Sequence, residues 1–262
     1  MCRGGPGSRP PDRGAVTDYR TLRVLSAAED RLVVELNRPA QRNAINAAMV
    51  AELHLICAAV EAEPRILILT GAGMDFAAGA DIAELRARGR NEALAGINRM
   101  VFDRIANLPL PSIAAVEGNA LGGGAELAYA CDIRIAGAGA RFGNPEPNLG
   151  ILAAAGASYR LADLVGRSVA KQVILGGRLL DAEAALRCGL LGEVVEEGAA
   201  LRTACAWADR IAKQSTLALR LTKAVLDAAS PHPLLDDIAQ AVLFESADKN
   251  ERMTRFLEKK KS

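Results

Sequence analysis

Short apolar runs alternate with stretches of helical spacing in the first half of the chain. The runs at 31–36, 65–70, 112–116 and 132–136 are rich in Leu, Val and Ile, which is typical of buried strands. Between them, 44–60 carries apolar residues on one helical face, and 91–107 also has a helical pattern. This alternation predicts parallel strands that are joined by crossover helices.

The second half of the chain has a different pattern. After about residue 158 it predicts helices almost throughout, at 158–165, 167–175, 182–188, 200–213, 215–229 and 234–258. The first residues are rich in Gly, Pro and Arg and lack the apolar segment of a signal peptide. We therefore divide the chain into a disordered arm at 1–17, an α/β core at 18–200 and a helical region at 201–262.

Composition excludes several classes of function. Of the 262 residues, 50% are apolar, so the chain can bury a sizeable core, and its net charge of +1 favours neither a nucleic-acid nor a membrane partner. No apolar run is long enough to cross a bilayer. The scattered cysteines and the two distant histidines argue against a metal site and a disulfide framework. We expect a cytoplasmic protein.

The candidate chemistry lies at two glycine-containing turns and two glutamates. The turn at 122–124 and the turn at 78–81 each follow a predicted strand and precede a predicted helix, so each can aim a backbone N–H at a ligand. Two converging N–H groups would form an oxyanion hole. Glu126 lies in the first turn of the helix that follows, and Glu146 comes later in the chain. Each feature taken singly is more often structural, because glycines make tight turns and a first-turn glutamate complements the helix dipole.

Taken in order, the motifs resemble the crotonase (enoyl-CoA hydratase/isomerase) superfamily, and they are closest to enoyl-CoA hydratase. The likeness extends from about residue 18 to 258. It is carried by NRP at 37–39, FAAGAD at 76–81, AAVEG at 114–118, GGGAEL at 122–127, CD at 131–132, FGNPE at 142–146, GG at 176–177 and GL at 189–190.

The resemblance implies an α/β fold, a crotonase-like spiral of ββα turns, followed by a helical C-terminal region that forms homotrimers or dimers of trimers. It implies an acyl-CoA substrate and no separate cofactor, since CoA is part of the substrate. The oxyanion donors would be the backbone N–H groups of Ala80 and Gly123. The residues expected to contact CoA are Arg38, Arg42, Ala78, Asp81, Ile82 and Ala83.

The two glutamates favour hydration among the reactions of the superfamily. Members that resemble true hydratases carry glutamate at both matching positions, as this chain does with Glu126 and Glu146. We expect syn addition of water across the C2=C3 bond of a 2-enoyl-CoA. Glu126 would activate the water, and Glu146 would deliver the C2 proton and help to hold the water. An arrangement in which both carboxyl groups hold one water molecule stays open.

Departures from the hydratase pattern keep other functions open. Ala153, Ala154 and Ala157 stand where Pro, Gly and Gly are typical, and Asn144 stands where Gln is common. A Δ3-Δ2 enoyl-CoA isomerase would need only one base, which Glu146 could supply. A non-catalytic CoA-binding or RNA-binding relative is a further alternative, although the chain has no internal lysine cluster.

Overall fold

The computed structural model describes residues 19–228 and 233–259, so the predicted arm at 1–17 lies outside the described residues. The strands are β1 (Leu22–Ala27), β2 (Arg31–Leu36), β3 (Ile66–Gly71), β4 (Ser112–Val116), β5 (Asn119–Leu121), β6 (Ile133–Gly137), β7 (Arg141–Gly143), β8 (Leu180–Asp181) and β9 (Glu193–Val195). The helices are α1 (Ala47–Ala62), α2 (Ile82–Ala87), α3 (Arg90–Ala95), α4 (Ile97–Ala106), α5 (Gly123–Ala130), α6 (Ala162–Ile174), α7 (Ala182–Arg187), α8 (Ala200–Ile211), α9 (Thr216–Leu226), α10 (Pro233–Phe244) and α11 (Ala247–Lys259).

A six-stranded sheet forms the centre of the fold. Its strand order is β1-β2-β3-β4-β6-β9, in which β1 is antiparallel to β2 and every other pair is parallel. The parallel pairing of the four predicted strands is therefore confirmed. A second, three-stranded sheet has the order β5-β7-β8.

The two faces of the large sheet pack against different helices, because side chains alternate along each strand. On one face, Val34, Leu69 and Val116 belong to the main core, which also contains buried residues of α1, α4 and α5. On the other face, the strands pack against α8. This second cluster is Val33, Ile66, Ile68, Ile113, Ala115, Ile135, Ala200, Ala204, Cys205 and Ala208.

Several predicted elements need correction. The helix predicted at 91–107 is interrupted at Gly96, whose φ of 60° is left-handed and ends α3 before α4 begins. The helix predicted at 234–258 divides into α10 and α11, and Ser246 caps α11 by accepting a hydrogen bond from the Lys249 amide. The predominance of helices after residue 158 is confirmed by α6 to α11, but the short strands β8 and β9 lie between predicted helices and were missed. The division at residue 200 stays a prediction.

No helix in the described ranges is long and apolar enough to cross a membrane.

Candidate active site

The two glycine-containing turns lie side by side. Hydrogen bonds run from the Ala77 amide to the Asn119 carbonyl (3.0 Å) and from the Leu121 amide to the Ala77 carbonyl (3.0 Å). They form a parallel bridge between Ala77 and Ala120. This short pairing brings the turn at 78–81 next to the start of α5, although the two are far apart in the sequence.

Two glycines make this close approach possible. A methyl group on Gly124 would lie 2.1 Å from the Ala77 carbonyl oxygen, so any side chain there would separate the two turns. Gly122, which precedes α5, has a φ of 50°, a left-handed conformation that other residues rarely adopt. The run of glycines thus allows the backbones of the two turns to come into contact.

The backbones of Ala80 and Gly123 lie close together. A methyl group on Gly123 would lie 3.4 Å from the Ala80 nitrogen. Ala80 bridges Ile45 through bonds made by its neighbours, from the Ile45 amide to the Gly79 carbonyl and from the Asp81 amide to the Ile45 carbonyl. Within 19–228 and 233–259, neither the Ala80 nor the Gly123 N–H donates a hydrogen bond. Two free donors therefore lie close together, which an oxyanion hole requires.

Glu126 is held in the interior by backbone amides. All residues of α5 are buried, and Glu126 is only 3% exposed. Its Oε1 accepts hydrogen bonds from the amides of Ala155 (2.8 Å) and Ala157 (3.1 Å). A buried carboxylate needs such partners, and these two fix the direction of the side chain.

Glu146 reaches the same space from the second sheet. Strand β7 pairs with β5 in parallel, and the Gly122 amide donates to the Gly143 carbonyl (2.8 Å). Glu146 follows β7 in a short 3-10 helix (Glu146–Leu149) and is 8% exposed. A methyl group on Gly122 would lie 3.1 Å from Glu146 Oε1, so this carboxyl group borders the oxyanion turn.

Two buried polar atoms at this point lack partners. Glu146 Oε2 and Asn144 Nδ2 make no hydrogen bond to any described residue. The buried Tyr129 hydroxyl donates to Asn144 Oδ1 (3.3 Å), which orients the Asn144 amide. Because unpaired buried polar atoms are costly and cluster at functional sites, they mark the place where a polar ligand can bind.

Burial raises the pKa of both carboxyl groups. The pKa of Glu126 rises to about 7, because burial and the Glu146 charge outweigh the amides of Ala157 and Ala155 and the Arg160 guanidinium. Burial also raises the pKa of Glu146, an effect that its own amide and the Asn144 side chain only partly offset. The Glu146 charge thus contributes to the raised pKa of Glu126.

The Glu126 carboxylate is expected to destabilise the fold at high pH. Its pKa rises from 4.5 to about 7 on folding, so stability is lost as pH rises through this window. Glu126→Gln removes the charge and should raise the free energy of unfolding by up to about 3 kcal/mol at about pH 8, and by less at about pH 5. Urea denaturation at both pH values measures this. Glu183→Gln, at an exposed side chain, is the control, and equal gains at both pH values would contradict the prediction.

The residues predicted to contact CoA lie in or beside the turn at 78–81. The partly buried Arg38 side chain is already paired, because it donates to Asp81 (3.1 Å) and to the Ala44 carbonyl. Arg42 pairs with Asp75 (2.7 Å), but its side chain is 56% exposed. Asp81 caps α2, and the other members are the partly exposed Ala78 and the exposed Ile82 and Ala83.

Sequence reasoning missed part of the site. The unusual stretch at 153–157 was singled out, but nothing in its pattern indicated that its amides hold Glu126. It also missed Asn98 on α4, whose Nδ2 would lie 3.8 Å from a methyl group on Gly123 and whose Oδ1 accepts from Arg88 (3.0 Å). Asn98 lies on the buried, apolar face of an amphipathic helix. A polar residue at such a position is the sequence signal that could have indicated a functional role. The described residues contain no group of three or more His, Cys, Asp or Glu that could hold a metal.

Comparisons with known proteins agree with this architecture. The family model described as enoyl-CoA hydratase/isomerase matches residues 28–262. The chain is 40% identical over 245 residues to the short-chain-enoyl-CoA hydratase of Clostridium acetobutylicum, covering 87% of this chain and 92% of that protein. It is 36% identical to the 2,3-dehydroadipyl-CoA hydratase of Escherichia coli, covering 90% and 96% of the two chains. The solved structure of an enoyl-CoA hydratase from Bacillus anthracis superposes with a TM-score of 0.86 at 34% identity, covering 92% of this chain and 97% of that chain.

Proposed function

Because the chain belongs to the enoyl-CoA hydratase/isomerase family and has the crotonase fold, we propose from its site that it is an enoyl-CoA hydratase. The observation that carries the proposal is the pair of buried glutamates, Glu126 and Glu146, beside the two free amides of Ala80 and Gly123. A reaction that adds water needs one group to take a proton from water and another to supply a proton to carbon.

The proposed chemistry is the syn addition of water to a 2-enoyl-CoA thioester. The oxygen of water bonds to C3, the C2=C3 π electrons move toward the carbonyl, and the thioester oxygen becomes an enolate. The N–H groups of Ala80 and Gly123 stabilise that oxyanion. Glu126 takes one proton from the water, and C2 takes a proton from Glu146, so the elements of one water molecule are added. A proton then passes from Glu126 back to Glu146, which restores both groups for the next turnover.

The surroundings of the glutamates support their separate roles. Glu126 Oε1 is fixed by two amides, which favour its carboxylate and suit it to accept a proton from water. Glu146 Oε2 and Asn144 Nδ2 have no hydrogen-bond partner among the described residues. Glu146 is therefore suited to bind the water and to deliver the C2 proton. A Δ3-Δ2 isomerase needs one base only, and the elaborate support of Glu126 therefore favours hydration.

The substrate contacts and the assembly are also part of the proposal. An acyl-CoA is the substrate class that the family implies. Of the two predicted arginines, Arg42 is the better placed to bind a CoA phosphate, because its side chain is exposed. Arg38 is less exposed and forms an ion pair with Asp81. Homotrimers or dimers of trimers and a cytoplasmic location stay predictions.

Incubation with crotonyl-CoA tests the proposal. We expect the enoyl absorbance to fall as 3-hydroxybutyryl-CoA forms, and product analysis identifies the added hydroxyl group. A 3-enoyl-CoA supplied in parallel separates the alternatives, because an isomerase converts it to the 2-enoyl isomer without adding water. Tight binding of a saturated acyl-CoA without turnover of either substrate would indicate a non-catalytic relative.

The rate should depend on pH near neutrality. Since Glu126 must be ionised to accept a proton and its pKa is raised to about 7, kcat/KM should rise as pH increases through about 7. A pH series with crotonyl-CoA measures the midpoint. A rising limb near the ordinary glutamate value of about 4.3 would contradict the role given to the buried Glu126.

A further inference from the structure

An ion pair ties the loop that binds Glu126 to helix α4. Arg160 Nη2 lies 2.6 Å from Asp103 Oδ1, and the Tyr159 hydroxyl donates to the same oxygen (2.8 Å). The Arg160 side chain is 14% exposed and that of Asp103 is 31% exposed, so the pair is partly shielded from water. Arg99 donates to the other oxygen of Asp103 (2.7 Å), so this carboxylate is held on both sides.

The Arg160 side chain also contacts the loop at 155–157 directly. Its Nη1 donates to the Ala155 carbonyl (3.4 Å), and the amides of Ala155 and Ala157 donate to Glu126. A methyl group on Gly156 would lie 2.3 Å from Arg160 Nη1, and Gly156 has a φ of 139°. Because Gly156 has no side chain, the Arg160 guanidinium can lie against the loop at this residue. The loop therefore lies between Arg160 and Glu126.

We propose that Arg160, anchored by Asp103, is a positioning residue that keeps the amides of Ala155 and Ala157 directed at Glu126. The inference rests on the proposed function, in which Glu126 accepts a proton from water. Neither Arg160 nor Asp103 needs to touch the substrate for this role. The distance in sequence between the two residues explains why no local motif reveals it.

The charge of Arg160 has a second effect on the same carboxyl group. Among the described titratable groups, Glu126 interacts with Glu146, with Arg160 and with the neutral hydroxyl of Tyr129. Glu146 raises the pKa of Glu126, and Arg160 lowers it. Loss of Arg160 would therefore weaken the amide contacts and move ionisation of Glu126 to higher pH, and both changes reduce the fraction of active carboxylate at neutral pH.

Steady-state kinetics of Arg160 variants with crotonyl-CoA test this inference. Arg160→Gln should lower kcat by about 10- to 100-fold while KM changes by no more than about twofold, because orientation and not binding is lost. The rising limb of kcat/KM should move to higher pH. Arg160→Lys keeps a positive charge but lacks the planar guanidinium, which can make two hydrogen bonds at once. It should move the rising limb of kcat/KM back toward the wild-type pH and recover part of kcat.

Two further variants complete the design. Asp103→Asn should lower kcat in the same direction as Arg160→Gln, and the double variant should lose less than the product of the two single losses, because both act on one contact. Arg104→Gln is the control: Arg104 lies next to Asp103 on α4, its side chain is 31% exposed, and it pairs with Glu61 (2.6 Å). It should leave kcat and the pH limb unchanged.

A folded Arg160→Gln variant with wild-type kcat and an unshifted pH limb would overturn the inference, as would an equal effect of Arg104→Gln. If Arg160→Gln does not fold, wild-type kcat and pH limb in both Arg160→Lys and Asp103→Asn would overturn it equally. A wild-type protein that turns over no enoyl-CoA would instead refute the proposed function, and with it the premise of this inference.

Discussion

Glu126→Gln and Glu146→Gln should each lower kcat for hydration of crotonyl-CoA by at least ~10², because each removes a group that transfers a proton. Glutamine has nearly the same shape, and its carbonyl can still accept the hydrogen bonds that Ala155 and Ala157 give to Glu126. The fold and the affinity for a saturated acyl-CoA should therefore be kept. Stopped-flow or steady-state absorbance measures kcat, and calorimetric titration measures binding.

Glu117→Gln is a matched control for these two variants. Glu117 also has a buried, unpartnered carboxylate oxygen within the described chain, and its other oxygen accepts a hydrogen bond from the Ala200 amide (2.9 Å) at the start of α8. Glu117 lies outside the proposed site, so the kcat of the Glu117→Gln variant should stay within about twofold of the wild-type value. Full turnover in either site variant would refute the role assigned to that glutamate.

Gly123→Pro should lower kcat by about 10²- to 10³-fold, because it removes one N–H of the oxyanion hole, a loss of about 3–4 kcal/mol of transition-state stabilisation. Gly123 is the first residue of α5, and its N–H donates to no described residue. Proline is well tolerated at the first helical position, where the missing N–H costs the helix no hydrogen bond. The loss should therefore appear in catalysis and not in folding.

Two controls isolate the missing N–H. Gly123→Ala keeps the donor and adds only a methyl group, which would lie 3.4 Å from the Ala80 nitrogen. It should retain at least about tenfold more kcat than Gly123→Pro. Thr216→Pro changes the first residue of α9, away from the site, and should leave kcat unchanged. Equal activity of Gly123→Pro and Gly123→Ala would show that the Gly123 amide takes no part in the oxyanion hole.

The strongest local patterns were sufficient to predict the core of the fold. Strands β2, β3, β4 and β6 were predicted because buried parallel strands are apolar on both faces. The short strands β5, β7 and β9 were not predicted, because three residues carry too little periodicity. Their pairing depends on hydrogen bonds to distant strands, and two of them position Gly122 and Glu146.

The candidate site was predictable to a similar extent. A run of glycines before a helix and two glutamates have recognisable local signals, so Gly123, Glu126 and Glu146 were proposed from the sequence. The partners of Glu126 were not, because any residue except proline can supply a backbone amide. The Asp103–Arg160 contact joins residues 57 positions apart, and charged residues on a helix surface have no distinctive pattern.

By itself the sequence determined that the chain has two turns able to offer free amides and carries two glutamates, because these features depend on local backbone freedom and residue type. Its motifs, taken in order, also resemble the crotonase superfamily. Only the tertiary structure decided that the turns at 78–81 and 122–124 meet, that the loop at 155–157 holds Glu126, and that Arg160 and Asp103 anchor this loop. The physical reason is that each of these contacts depends on chain segments brought together by the sheet, and short-range pattern contains no information about such distances.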